Sequence, residues 1–174
     1  MDKFGLIGLK RRRSVARLAA NLIPSGYGAM TVDGGGGVAV GLTSWDNCTP
    51  VFLLDNGQKV TLGGVTDADQ FAAVYLAFIA ISPNTIYTLS VDAALLKSAT
   101  ERVKVQIQWF TSASAYISNS VTAEVDPGVS YARQTVTGTA PATAAKAFIQ
   151  FEIHAKAIGA TGVAHFKDAL FQAA

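Results

Sequence analysis

Two segments of the chain, residues 103–109 and 149–154, alternate strictly between apolar and polar side chains. Successive side chains of a β-strand point to opposite faces, so each segment would have one apolar face and one face of hydrogen-bonding groups. The apolar faces predict contact with a buried core, which restricts the chain to a sheet-based fold. The polar faces consist of Lys104, Gln106, Gln108, Gln150, Glu152 and His154.

Turn-forming residues divide the rest of the chain into short segments. Residues 34–37 predict a flexible loop, residues 55–57 a tight hairpin turn, and residues 82–84 a turn after an apolar run. This spacing is typical of an all-β domain, an antiparallel sandwich or barrel. The predicted strands are 51–54, 59–62, 71–81, 87–93, 103–110, 115–122, 131–137, 147–154 and 162–171.

The most apolar run, residues 71–81, contains 11 residues. A helix needs about 20 residues to cross the hydrocarbon core of a bilayer. The run therefore predicts a strand that is buried on both faces, and we expect no contact with a membrane.

The composition favours one domain that packs against neighbouring subunits. With 174 residues, 50% of them hydrophobic, the chain is long enough for one buried core. The charged fraction of 15% is low for a soluble protein. We expect an arm at residues 1–20, a domain at residues 21–174 and a homo-oligomer. Because Cys48 is the only cysteine, no intramolecular disulfide is available.

Basic residues are concentrated near the start of the sequence. Residues 1–17 carry six basic residues and one acid, whereas the remainder carries 8 basic and 11 acidic residues. Such an arm can contact an acidic protein surface, nucleic acid or anionic lipid, or it can remain solvated. Contact with a protein is the preferred interpretation, with residues 10–21 either weakly helical or extended. The residues expected to bind the partner are Lys10, Arg11, Arg12, Arg13 and Arg17.

Several segments resemble successive landmarks of one protein family. They are SPNTIYTLS at 82–90, QWF at 108–110, TVTGTAP at 135–141 and HFKDAL at 165–170, preceded by NLIP at 21–24. This order resembles the galactose-binding-like jelly rolls of the 4/9 group of carbohydrate-binding modules. Such domains also occur as accessory domains in bacteriophage virion proteins. The resemblance covers residues 21–171 and implies a jelly-roll β-sandwich.

The resemblance also implies a metal site that this sequence departs from. Members of the family often hold a structural calcium with acidic residues after the opening phrase and in the last strand. Here residues 25–28 after the opening phrase contain no acid, and Lys167 precedes Asp168. Calcium needs a cluster of oxygen ligands, which a neighbouring ammonium opposes. We therefore expect no metal and no cofactor, with Asp33 as the remaining acidic candidate.

The resemblance places a carbohydrate cleft on the polar face of the two alternating strands. Sugar recognition combines polar groups for the hydroxyls with an aromatic ring for the apolar sugar face. Trp109 shares the apolar register and is predicted to be core, which leaves Phe110, Tyr116 and Trp45 as aromatic candidates. The alternative is a sheet face that is solvated or packed against another subunit. The candidate glycan-binding residues are Asp92, Gln106, Gln108, Gln150, Glu152 and His154.

Common catalytic motifs are missing from the sequence. It contains no G-x-S-x-G elbow, no G-x-x-x-x-G-K-[ST] loop and no H-E-x-x-H, and its only histidines are His154 and His165. Glu152 and His154 could form an acid/base pair, but polar neighbours two residues apart on a strand more often have no such role. We expect no catalytic residue.

Two functional hypotheses follow from the arm, the fold and the missing catalytic motifs. The first is a non-enzymatic structural protein of the virion, a phage head decoration or tail accessory protein. Its arm would bind capsid or tail subunits, and its jelly roll would face outward. The alternative is a carbohydrate-binding module that mediates adhesion to a glycan or host surface. Binding of nucleic acid by the arm is a third and less favoured interpretation.

Overall fold

This computed structural model describes residues 19–24, 30, 43–44, 48–53, 57–63, 65–66, 70–97, 101–122 and 124–174. The predictions for the loop at residues 34–37 and for Trp45 lie outside the described residues. The same holds for the predicted partner-binding residues Lys10, Arg11, Arg12, Arg13 and Arg17.

Ten strands account for the regular structure of the described residues. They are β1 (Thr43–Ser44), β2 (Cys48–Leu53), β3 (Gly57–Leu62), β4 (Phe71–Ala80), β5 (Ile86–Lys97), β6 (Glu101–Phe110), β7 (Tyr116–Val121), β8 (Ala132–Thr139), β9 (Lys146–Ala155) and β10 (Gly162–Ala173). In the described part of the chain, no helix has the length and apolar character needed to span a bilayer.

The strands form two five-stranded sheets in which every pairing is antiparallel. The front sheet has the order β1-β4-β9-β6-β7, and the back sheet has the order β2-β3-β10-β5-β8. The prediction of an all-β antiparallel sandwich is therefore confirmed. Because strands that are neighbours in a sheet are mostly distant in sequence, the order of strands is a property of the tertiary structure.

The hairpin predicted from residues 55–57 is present between β2 and β3, where Leu53 pairs with Gly57. Gly57 has a φ of 77°, a left-handed conformation that side chains disfavour. A Cβ atom at this position would also collide with the backbone oxygen of Phe166 on β10. Glycine is therefore required here both for the turn and for the close approach of β10.

Aromatic side chains from both sheets form the centre of the core. Phe151 of the front sheet and Phe166 of the back sheet are fully buried, with ring centroids 5.7 Å apart. Tyr87 lies between Trp109 and Phe171, at centroid distances of 6.0 and 5.3 Å. The apolar face predicted for β6 is confirmed, because Val103, Val105, Ile107 and Trp109 are all buried.

The strand predicted at residues 71–81 is present as β4, but burial on both faces was wrong for part of it. Val74 is buried in the core, whereas Phe71 and Tyr75 on the outer face are only partly buried. A β-bulge interrupts the register between Leu76 and Ile79, and Phe78 within it is 48% exposed. The outer face of β4 therefore contributes side chains to the surface of the front sheet.

Candidate functional site

Five of the six predicted glycan-binding residues lie together on the outer face of the front sheet. Gln106 pairs with Gln150 across β6 and β9, and Glu152 and His154 follow on the same face of β9. Gln108 lies beside Gln150, with its Nε2 3.3 Å from the Gln150 Oε1. The two alternating strands are neighbours in this sheet, which brings their polar rows into contact.

Asp92 is the sixth predicted residue, and its assignment to this face was wrong. It lies on β5 in the back sheet, where its carboxylate accepts a hydrogen bond of 3.0 Å from Arg133. The same guanidinium donates to the Ser90 hydroxyl and to the backbone oxygen of Asp168. Alternation on β5 indicates only that Asp92 points outward, and the strand order decides which sheet it belongs to.

The outer face of the front sheet, the front face, has an amide cluster at its centre. The cluster is formed by Gln106, Gln108, Asn119 and Gln150. The Gln150 Oε1 accepts hydrogen bonds from Gln106 and Gln108, at 3.1 and 3.3 Å. Asn119 on β7 donates to the Gln106 Oε1 at 3.3 Å, so the orientation of Gln106 is fixed on both sides. Gln106 and Gln150 are buried, whereas Gln108 is half-buried and Asn119 is exposed. A carboxamide has two donor hydrogens and two acceptor lone pairs, and those left over on Gln108 and Asn119 can bind hydroxyl groups.

Asn119 was missed by the sequence reasoning. It lies opposite Gln108 on the edge strand β7. Alternation within 115–122 could have suggested that one set of its side chains shares a face with Gln108. The pairing of β7 with β6 was nevertheless needed to assign Asn119 to the amide cluster.

One end of the front face is an ionic network formed by Lys104, Glu124, Glu152, His154 and Lys156. The Glu152 side chain is 1% exposed, and its carboxylate accepts hydrogen bonds from Gln106 and from the Nε2 of His154. The Lys104 ammonium lies 3.5 Å from the same carboxylate. Removal of Glu152 from water is therefore compensated by three donors, two of which carry or can carry positive charge.

The ionic network continues through His154 to the segment that follows β7. The Nδ1 of His154 is buried without a hydrogen-bond partner and lies 3.6 Å from the Glu124 carboxylate. Glu124 pairs with Lys156, and this hydrogen bond holds the pKa of the Glu124 carboxyl below its ordinary value, although burial acts in the opposite direction. Lys104 and Lys156 are thus each matched by a carboxylate.

The other end of the front face is an aromatic row that crosses four neighbouring strands. Phe78 of β4, Phe148 of β9, Phe110 of β6 and Tyr116 of β7 follow one another, with successive centroids 6.4, 6.1 and 5.8 Å apart. Tyr75 supports the row by stacking on Phe148 at 4.5 Å. Phe78 is 48% and Tyr116 is 57% exposed, so rings at both ends of the row face solvent.

Sequence reasoning identified half of the aromatic row. It named Phe110 and Tyr116, and it placed Trp109 correctly in the core. Phe148 precedes Gln150 by two residues in the same alternation, which is a signal that could have been used. Phe78 has no comparable local signal, because the bulge in β4 changes the side to which its ring points.

Within the described ranges, no group of three or more His, Cys, Asp and Glu side chains could hold a metal ion. The Lys167 ammonium, which was expected to oppose calcium, lies 4.2 Å from the ring centroid of Tyr131. Asp33 lies outside those ranges. The expectation that this protein binds no calcium stays a prediction.

Comparison with solved structures identifies proteins of the same fold. An enzymatically active domain of bacteriophage CBA120 tailspike protein 4 has a TM-score of 0.60 and 15% identity, covering 88% of this chain and 21% of that chain. A xylan-binding CBM22-1 domain of Paenibacillus barcinonensis Xyn10C has a TM-score of 0.59 and 11% identity, covering 91% and 97% of the two chains. A CBM4 structure has a TM-score of 0.56 and 18% identity, covering 77% and 95%.

These similarities define a class of fold and no closer relationship. No family model and no curated protein sequence matches the chain. The chain spans about a fifth of the tailspike chain and nearly all of the two carbohydrate-binding modules. The fold is the jelly-roll β-sandwich found in carbohydrate-binding modules and in a phage tailspike, as the resemblance in the sequence implied.

Proposed function

We propose that this protein binds a glycan across the outer face of its front sheet and does not catalyse a reaction on the glycan. The observation that carries the proposal is the position of the amide cluster directly beside the aromatic row. Amide groups satisfy sugar hydroxyls, and aromatic rings cover the apolar face of the sugar ring. The fold that the chain shares with carbohydrate-binding modules supports the same function.

Two kinds of accessible group on this face can contact a glycan. Gln108 is half-buried and Asn119 is exposed, so their amides can reach a ligand from the centre of the face. Phe78 and Tyr116 provide exposed rings beside them. Glu152 is buried beneath donors of the ionic network and is expected to position Gln106 and to make no contact with sugar.

Replacing Tyr116 with alanine is expected to weaken glycan binding about fivefold to 30-fold. A ring that contacts a ligand contributes about 1–2 kcal/mol when it is a dominant contact. The measurement is a glycan array with the native protein, followed by calorimetry on the best ligand. Tyr131→Ala is the matched control, because Tyr131 lies beside Lys167 of the back sheet. A blank array with the native protein would remove the proposal, and equal loss in both variants would contradict the site.

A second function, attachment to a phage particle, is supported by the likeness of the fold to a tailspike domain. In this proposal the protein is a homo-oligomeric component of the virion and uses Lys10, Arg11, Arg12, Arg13 and Arg17 to bind capsid or tail subunits. Glycan binding and attachment are compatible, since they use different parts of the chain.

Deletion of residues 1–20 is expected to abolish attachment to the particle, because it removes all six basic residues of the arm. The measurement is co-sedimentation of native and truncated protein with particles that lack this chain. Circular dichroism of the truncated protein checks that the domain remains folded. Attachment of the truncated protein would contradict a role for the arm. If the native protein attaches at low salt and is released at high salt, the contact depends on charge.

A further inference from the structure

We propose that the glycan bound by this protein carries an anionic group, and that the group is bound by Lys146. The inference rests on the proposed function and specifies the class of ligand at the same site. It concerns the aromatic end of the front face, away from the ionic network.

Lys146 lies within the aromatic row of the glycan site. It begins β9 and pairs with Phe110 of β6. Its ammonium lies 5.4 Å from the ring centroid of Phe78 and donates a hydrogen bond of 2.9 Å to the Ser114 hydroxyl. The side chain is half-buried, so the position of the charge is restricted by its surroundings.

Lys146 differs from the two lysines of the ionic network in its partners. Lys104 lies beside Glu152, and Lys156 lies beside Glu124. Among the residues that the structure describes, the Lys146 ammonium contacts a hydroxyl and an aromatic ring and no carboxylate. An ammonium has three donor hydrogens, and the one given to Ser114 leaves two for a ligand. The aromatic end of the face thus offers a positive charge that no carboxylate among the described residues neutralises.

The backbone conformations of the two residues that contact the Lys146 side chain support a functional role for this lysine. Phe78 has a φ of 57° and Ser114 a φ of 63°, and both are left-handed residues other than glycine. Such conformations are sparsely populated and persist where the surrounding structure imposes them, often at binding sites. Each of the two residues contacts the Lys146 side chain, so two unusual backbone positions hold the same charge.

The chemistry of this end suits a sugar that has an apolar face and an anionic substituent. The aromatic row would cover the sugar ring, while the ammonium would bind a carboxylate of a sugar acid, or a sulfate or phosphate ester. A lysine binds each of these as a point charge and does not select between them by geometry. The shared chemistry is therefore an anionic glycan.

The test compares charged polysaccharides with matched neutral ones by affinity electrophoresis and calorimetry. The carboxylated probes are polygalacturonate, alginate and hyaluronan, and the sulfated probe is dextran sulfate. The neutral probes are carboxyl-reduced polygalacturonate, dextran, xylan and mixed-linkage glucan. The variants are Lys146→Gln, Lys146→Arg, which keeps the charge, and Lys167→Gln, which removes a lysine over the Tyr131 ring.

The native protein is expected to bind at least one anionic probe about three- to tenfold more tightly than its neutral counterpart. Lys146→Gln should remove this preference, so that the variant binds the anionic probe and its neutral counterpart with affinities within about twofold of each other. Lys146→Arg should retain most of the preference, and Lys167→Gln should behave as the native protein. Preference for carboxylated over sulfated probes, or the reverse, identifies the anionic group.

Failure of this inference and failure of the proposed function give different results. Binding to neutral probes with equal or greater affinity, unaffected by Lys146→Gln, overturns the anionic ligand and leaves the glycan site in place. A preference for anionic probes that survives Lys146→Gln overturns the role of Lys146. No binding to any probe or to the glycan array overturns the proposed function, and the inference with it.

Discussion

Replacing Trp109 with alanine is expected to lower the free energy of unfolding by about 3–5 kcal/mol, the usual cost of deleting a large aromatic side chain from a core. Trp109 is 1% exposed, packs on Tyr87 of the back sheet and donates a hydrogen bond of 3.2 Å to Ser120. Gly138 lies so close to this ring that a Cβ there would be 3.2 Å from its Cζ2. The space left by alanine therefore extends between both sheets.

Urea unfolding followed by far-ultraviolet circular dichroism measures the effect of Trp109→Ala. Ile158→Ala is the matched control, because Ile158 is 72% exposed and its truncation should change stability by less than about 0.5 kcal/mol. Trp109→Phe should fall between the two, since it keeps most of the apolar volume and loses the hydrogen bond. A loss below about 1 kcal/mol for Trp109→Ala would contradict its place at the centre of the core.

Replacing Glu152 with alanine is expected to lower the free energy of unfolding by about 3–5 kcal/mol, although the residue is a single carboxylate on the outer face of a sheet. The Glu152 side chain is 1% exposed, and its removal takes the carboxylate away from the Lys104 ammonium and from the buried side chains of Gln106 and His154. Lys104→Ala should cost less, because the Glu152 carboxylate that it leaves behind keeps its hydrogen bonds to Gln106 and His154. The expected asymmetry follows from what each variant leaves behind, which is either three donors without a carboxylate or a carboxylate that keeps two donors.

Asp92→Ala provides the matched control for Glu152→Ala. The ion pair between Asp92 and Arg133 has side-chain exposures of 29% and 36%, and its loss should cost at most about 1 kcal/mol. Thermal and urea unfolding of the three variants at neutral pH compares the pairs directly. Similar losses for Asp92→Ala and Glu152→Ala would contradict the burial of the ionic network.

Local alternation was enough to predict part of the candidate site. The period of two in residues 103–109 and 149–154 reflects strand geometry alone, so the division into core side and polar side could be read correctly for both segments. It also separated Trp109 from the aromatic residues of the surface. Turn residues such as Gly57 predicted the hairpin between β2 and β3 for an equally local reason.

The same alternation could not decide which strands are neighbours. Residues 71–80 and 101–110 both pair with β9, although strands of both sheets lie between each of them and β9 in the sequence. Asp92 had the correct pattern for an outward residue and was nevertheless on the opposite surface. Tyr75 joined the site through the pairing of β4 with the distant strand β9, whereas Asn119 joined it through the pairing of β7 with the preceding strand β6.

The sequence by itself determined the two-faced strands, the turns and the resemblance to a jelly roll, because these depend on side-chain period and turn chemistry over a few residues. Only the tertiary structure decided that the polar rows of β6 and β9 lie side by side, with an aromatic row at one end and an ionic network at the other. That arrangement requires pairing across long stretches of chain, together with a bulge that turns Phe78 toward the site. Its energy comes from contacts that no local segment contains.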